Sequence, residues 1–244
     1  MNPCVAHRGW SGAAPENTLA AIRLAAEDPE IEMVEIDVQL SRDGVPVVFH
    51  DFTLERTTNG SGRVCDRTVR ELQALDAGSW FDRRFAGETI PTLREVLECV
   101  RGQCKLNIEL KAAGFSPPGL AEKVVSLVRE CGMRDQVIVT SFHHPTAKRV
   151  KELDRGLTVG IIVYGCPTLL REQMRDVRAD VLSIAYPYLS KELVQEMLAE
   201  GKELIAWTVD DPEEMRAIMR LHPSIKICTN RPDVWKRVKG GERR

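Results

Sequence analysis

Four short stretches of the 244-residue chain gather residues able to do acid–base or ligand chemistry: "AHRG", "MVEIDV", "VVFHD" and "NIELK". Glu35 and Asp37 stand two apart in an apolar, β-branched run, and Glu109 and Lys111 repeat that spacing. Strand side chains alternate faces, so each pair shares a side. Like charges buried unpaired on one face would cost several kcal/mol. Neighbouring strands lie about 4.8 Å apart, so carboxylates on adjacent strands can share one cation. Glu35, Asp37 and Glu109 form an all-oxygen set, which suits Mg2+ or Ca2+; zinc would want His or Cys. A metal alone does not account for Lys111, which has the same sign of charge. An anion between them does, and Arg8 can close on it, so the set reads as a phosphate site. His7 and His50 flank it. Two imidazoles near their ordinary pKa can act as general base and general acid, each worth about 10²–10⁴ in rate. His7 and Arg8 are adjacent and would point apart on a regular strand; Gly9 offers a turn that puts Arg8 on the rim.

Such residues must be held by regular elements. Eight short apolar runs recur: "CVAH", "MVEID", "KLNIEL", "QVIVTSF", "LTVGIIV", "VLSIA", "ELIAWTV" and "IKICT". Amphipathic stretches such as "PTLREVLECV" and "SKELVQEMLAEG" separate most of them and read as helices. The last five runs begin about 21 to 23 residues apart. Regular β-then-α alternation at this length predicts a (β/α)8 TIM barrel in one domain spanning 1–244. An open doubly wound sheet is the competing architecture, but its glycine-rich phosphate loop is absent. Barrel enzymes keep their chemistry at the C-terminal strand ends, where His7, Glu35, Asp37 and Glu109 fall. A long interval follows the second strand. Within it "QLSRDGVPVVFHD" reads as a hairpin. A turn centred on Arg42 and Asp43 pairs Glu35 with His50 and Asp37 with Val48. Residues 51–91 then form a small irregular insertion. Asn17 and Thr18 are expected to cap the first helix. Trp207 is either barrel packing or an apolar wall for a glycerol-like group. Phe142 reads as core, and His143, His144 and His222 as loop residues. Asp51 either orients a neighbour or caps a turn.

Composition narrows the partners. With 34 basic and 36 acidic residues the net charge is -2, which argues against nucleic-acid binding by long-range charge. The basic end "WKRVKGGERR" reads as a solvated tail. Seven scattered cysteines without a CxxC pair read as reduced thiols of a cytoplasmic protein. No leader pattern and no apolar run of about 20 residues is present, so stable membrane insertion is not expected. Nothing in the pattern specifies an oligomeric state.

"AHRG" with "PENT", then "EIDV", "DGVPVVFHD", "IELK", "WTV" and "TNRPD", taken in order over nearly the whole chain, resembles the glycerophosphodiester phosphodiesterase family. The resemblance implies a (β/α)8 barrel with a small insertion after the second strand. It implies His7 and His50 as the acid–base pair, Glu35, Asp37 and Glu109 as ligands of a divalent cation, and Arg8 and Lys111 on the phosphate. The implied reaction releases glycerol 3-phosphate and an alcohol from a small-molecule glycerophosphodiester. Either an internal glycerol hydroxyl or water attacks. Two alternatives share the barrel: a lipid-directed phosphodiesterase (lysophospholipase D or phospholipase C-like), whose apolar rim could come from Trp80, Phe81 and Phe85, and a non-catalytic binder of glycerol phosphate. The family often has Thr-Asp where this chain has Thr229-Asn230, which removes a charge near the barrel mouth.

Overall fold

The computed structural model of the chain describes residues 2–241. Its strands are β1 Cys4–Ala6, β2 Ile31–Leu40, β3 Pro46–Val48, β4 Lys105–Leu110, β5 Val137–Ser141, β6 Thr158–Val163, β7 Val181–Ala185, β8 Glu203–Trp207 and β9 Lys226–Thr229. Its helices are α1 Leu19–Ala26, α2 Val69–Gln73, α3 Leu93–Val100, α4 Leu120–Glu130, α5 His144–Leu153, α6 Leu170–Val177, α7 Lys191–Ala199, α8 Pro212–Leu221 and α9 Pro232–Lys239. Eight strands pair in parallel, and β1 joins both β9 and β2, which closes the sheet into the expected barrel. β3 pairs antiparallel with β2 and stands outside the parallel ring.

Strand alternation divides the core in two. Val34, Ile36 and Val38 of β2, with Leu106, Ile108 and Leu110 of β4, face the helices and join one large apolar cluster. The residues between them face the barrel axis. Val5, Met33, Ile138, Val181, Ile205 and Cys228 plug the lower interior. One step further along the same faces the chain supplies Glu35, Asp37, Asn107 and Glu109. On β2 and β4 the polar mouth is therefore the inward-facing row above that apolar plug.

The insertion is irregular, as its sequence predicts, but it carries a small core of its own. Val47, Phe49, Leu54, Val64, Leu72, Ala77 and Ile90 cluster beside the hairpin. The hairpin register differs from the expectation by one residue. Val38 pairs with Val48 and Gln39 with Val47, so partners sum to 86 and not 85. An odd loop is built because the Ser41 hydroxyl bonds Asp43 and the Val45 carbonyl, and Gly44 takes a positive φ of 72°. The basic C-terminal stretch is also more ordered than a tail. Trp235 in α9 is buried, and Lys236 and Lys239 reach Asp28 and Glu30. Residues 242–244 of that stretch lie outside the described residues.

Gly9 marks where the first strand leaves the barrel. It has φ 78°, and a Cβ there would meet the Ala21 backbone carbon at 2.6 Å. Gly9→Ala should lower unfolding free energy by about 1–3 kcal/mol, read from denaturant midpoints. An unchanged midpoint would contradict this close approach of β1 to α1.

Candidate active site

The adjacency of His7 and Arg8 is resolved by the backbone. Arg8 has φ 56°, in the left-handed region that non-glycine residues seldom adopt. The chain turns there instead of alternating, so both side chains line the mouth. The turn is tied on both sides: the Arg8 amide donates to Glu35 Oε2 at 2.9 Å, and the Gly9 amide to the Glu35 carbonyl at 3.2 Å. The Arg8 guanidinium donates to Glu16 Oε1 at 2.8 Å and stands 3.3 Å from Asp37 Oδ2, close enough for an ion pair but not aligned as a hydrogen bond.

Glu35, Asp37 and Glu109 meet as the strand spacing predicts. β2 and β4 pair Asp37 with Glu109, and one ligand oxygen from each of the three residues lies within 4.8 Å of the others. At that separation and an effective dielectric near 20, each ionised pair repels by roughly 3 kcal/mol. The structure answers with two cations. Lys111 Nζ donates to Glu109 Oε1 at 2.8 Å and lies 3.5 Å from Asp37 Oδ1; Arg8 takes the other side. Burial alone would raise Asp37, but Arg8 and Lys111 more than reverse it and hold its carboxyl down to about 2. Glu35 and Glu109 receive less. Burial, then repulsion from Asp37 and Glu109, pushes Glu35 well above the carboxylate range; burial and Asp37 push Glu109 up to about 7.

This set fits a divalent cation by its own chemistry. Three carboxylates face two cations, and Arg8 is shared with Glu16, so the cluster is short of positive charge. Glu35 Oε1 is buried without a hydrogen-bond partner. The ligand atoms are all hard oxygens.

His50 returns beside the cluster because the hairpin carries it there. Phe49 still bonds the Asp37 carbonyl, and the next residue leaves the ladder. Its Nδ1 lies 2.5 Å from Asp51 Oδ1. Asp51 therefore orients its neighbour. Arg56, from the insertion, donates to both Asp51 oxygens and to both Glu16 oxygens, at 2.6 to 3.0 Å. A continuous chain thus runs from His50 through Asp51, Arg56 and Glu16 to Arg8. His7 is held differently. Its Nδ1 lies 2.7 Å from Asn230 Oδ1, and Asn230 Nδ2 donates to Asp210 Oδ2 at 2.7 Å. Burial first, then Arg8, brings His7 down to about 4. Burial also lowers His50, against the opposing pull of Asp37.

These residues surround one cavity of about 180 Å3 at the mouth. His7, Arg8, Glu35, His50, Glu109 and Lys111 form its charged side, and Trp207, Phe142, Ile162 and Ile205 its apolar side.

A family model described as the glycerophosphoryl diester phosphodiesterase family matches residues 7–234. The chain belongs to that family. It is 40% identical over 219 residues to the glycerophosphodiester phosphodiesterase of Caldanaerobacter subterraneus subsp. tengcongensis, covering 88% of this chain and 89% of the relative. It is 32% identical over 237 residues to that of Bacillus altitudinis, covering 96% of both. Among solved structures, an Oleispira antarctica phosphodiesterase in complex with the product sn-glycerol-3-phosphate superposes with TM-score 0.92 and 31% identity, over 98% of this chain and 97% of that one.

Against that family frame, all eight sequence-predicted site residues come together. Several neighbours join them that no local sequence pattern marks. Asn17 is no helix cap: Thr18 caps α1, and Asn17, at φ 58°, donates its amide to Asp37 Oδ2 at 2.9 Å. Glu16 and Arg56 were invisible because their partners lie across the insertion, although "PENT" beside the "HRG" stretch was a signal. Phe142 is not core: it is 47% exposed and packs edge-on against Trp207 with centroids 5.5 Å apart. His143 and His222 bond Thr146 and Ser224 locally, as loop residues do.

The raised carboxyls set a pH dependence. Glu109 gains a proton more easily when folded, so its stabilising contribution is complete below its ordinary value of 4.5 and lost as pH rises through about 7. The metal-free protein should therefore lose stability over that window. Millimolar Mg2+ or Ca2+ should raise the melting temperature at pH 8 and much less at pH 5, and Glu35→Gln should remove the effect. A metal-induced shift equal at both pH values would contradict the carboxylate assignment.

Proposed function

We propose that this phosphodiesterase hydrolyses small-molecule glycerophosphodiesters to glycerol 3-phosphate and an alcohol. Glu35, Asp37 and Glu109 hold a divalent cation, Mg2+ or Ca2+, Arg8 and Lys111 bind the phosphate, and His7 and His50 form the acid–base pair. One observation carries this reading: two imidazoles with chemically different Nδ1 partners line one cavity with a paired set of carboxylates and cations. Asp210 accepts from Asn230 Nδ2, so Asn230 Oδ1 is left to accept from His7 Nδ1–H. The lone pair of His7 then sits on Nε2, and burial beside Arg8 keeps the ring neutral, as a base requires. His50 donates Nδ1–H to the Asp51 carboxylate, which opposes the lowering by burial and leaves Nε2 to carry the proton that an acid delivers.

His7 Nε2 accepts the proton of the attacking hydroxyl, supplied by the neighbouring glycerol oxygen or by water. The new P–O bond forms as the bond to the leaving alcohol breaks, and His50 Nε2–H protonates that oxygen. In the internal route, water then opens the cyclic phosphate with the two histidines in exchanged roles. A divalent cation held by Glu35, Asp37 and Glu109 would supply charge neutralisation to the reacting phosphate. Trp207 forms the apolar wall. The free buried thiols Cys4, Cys104, Cys131 and Cys228 support a reducing, cytoplasmic setting.

One observation favours a lipid-directed variant of this activity. Phe115, Phe142, Tyr164 and Leu169 are exposed on the segments that follow β4, β5 and β6, at the strand ends that bear the site. A second apolar group, Trp80 with Phe81 and Phe85, stands on the insertion, with Trp80 also exposed. Among the described residues no helix is long and apolar enough to cross a membrane. Co-sedimentation with phospholipid vesicles and turnover of a lysophospholipid would support this variant.

A panel of glycerophosphodiesters assayed with each metal, detecting glycerol 3-phosphate, tests the main reading. Activity should vanish in excess EDTA and return with Mg2+ or Ca2+. His50→Ala should lower turnover by at least about 10² while leaving the melting temperature nearly unchanged. Full activity in EDTA, or near-native turnover of the variant, would refute the corresponding part.

A further inference from the structure

Two residues of the mouth cavity belong to neither its charged nor its apolar side. Asn107 on β4 and Ser183 on β7 both line it, yet they are only 3% and 4% exposed. Asn107 sits one inward position below Glu109 and pairs with Glu35 across the sheet. Ser183 pairs with Ile205, one inward position below Trp207. Both therefore lie deeper than the groups at the rim.

Their hydrogen-bonding capacity is unfilled. Asn107 Oδ1 accepts from Thr140 Oγ1 at 3.0 Å, which orients the amide and leaves its two N–H donors free. Among the described residues, neither Asn107 Nδ2 nor the Ser183 hydroxyl has a hydrogen-bond partner. Both atoms open into the cavity rather than lying sealed in the core, so each can exchange a hydrogen bond with a small molecule there. An apolar residue at either position would complete the plug formed by Val5, Met33, Ile138, Val181, Ile205 and Cys228. A hydroxyl and an amide stand there instead, opening into the cavity. A cavity of about 180 Å3 is also below the roughly 300–1,000 Å3 of drug-sized ligand sites. It suits a small polar fragment.

We propose that Asn107 and Ser183 form a hydroxyl-binding floor that selects a polyol phosphate. Asn107 Nδ2 donates to one hydroxyl of the glycerol, and Ser183 exchanges a hydrogen bond with the other, while Arg8 and Lys111 hold the phosphate above. This rests on the proposed function and adds the groups that recognise glycerol. The floor rejects a simple alkyl phosphate because an alkyl chain would leave both polar groups unpaired.

The test compares inhibition by sn-glycerol 3-phosphate and by n-propyl phosphate, with metal present, in wild type, Ser183→Ala and Asn107→Leu. The two ligands share a phosphate and a three-carbon chain and differ in the hydroxyls. Wild type should favour glycerol phosphate by at least about tenfold. Each substitution should shrink that preference about three- to tenfold, the size of one neutral hydrogen bond, and leave propyl phosphate inhibition within about twofold. A merely structural role would weaken both ligands alike. An unchanged preference in both variants, with wild type still hydrolysing glycerophosphodiesters, would overturn the floor alone. If glycerol phosphate does not inhibit the wild type and no glycerophosphodiester is hydrolysed, the floor and the proposed function both fall.

Discussion

Repulsion among three carboxylates inside one end of a barrel governs the rest of this site. Glu35, Asp37 and Glu109 are placed together by strand alternation and parallel register, and the backbone offers Glu35 one hydrogen bond, from the Arg8 amide to Oε2. Relief comes from side chains brought in by other segments. Lys111 is two residues along from Glu109, Arg8 enters from a turn, and Asn17 donates to Asp37. This relief is uneven. Asp37 is fully compensated and Glu35 keeps an unpaired oxygen, so the residual demand for positive charge points to one spot.

Each compensating group needs its own support, and this builds the second layer. Arg8 must bend away from His7, so it takes a left-handed conformation and Gly9 packs directly on α1. Its guanidinium is shared with Glu16, which Arg56 neutralises in turn. Arg56 also grips Asp51, the partner of His50. The insertion is thereby more than a connection: one arginine from it couples the orientation of His50 to that of the Arg8 guanidinium.

What the sequence makes legible follows from its short-range periodicities. The eight strands, the shared faces of Glu35 with Asp37 and of Glu109 with Lys111, and the return of His50 all depend on a period of two, which pattern reading captures. The hairpin parity does not. Whether partners sum to 85 or 86 depends on how Ser41, Asp43 and Gly44 close the loop, a side-chain matter with no periodic signature. Asn17 looked like a cap because Asn beside Thr ordinarily is one; the tertiary demand of Asp37 overrode that local preference. Glu16 and Arg56 are 40 residues apart, and their meeting is a product of the fold. Asn107 and Ser183 carry no pattern at all, being single polar residues in apolar strands.

In the proposed mechanism the two histidines show how little is needed to separate acid from base. Both use Nδ1 to hold the ring and leave Nε2 for chemistry. One partner is a carboxylate, the other an amide. Asn230, which stands where the family pattern often has an acid, donates its side-chain amide to Asp210. Asp210 accepts three hydrogen bonds, from the Thr229 hydroxyl, the Asn230 amide nitrogen and Asn230 Nδ2. A carboxylate at position 230 would set two like charges at hydrogen-bond distance and offer His7 an anion. Asp210 stands one side chain back from His7, where it fixes the Asn230 amide and, through it, the tautomer of His7 without stabilising the protonated ring directly.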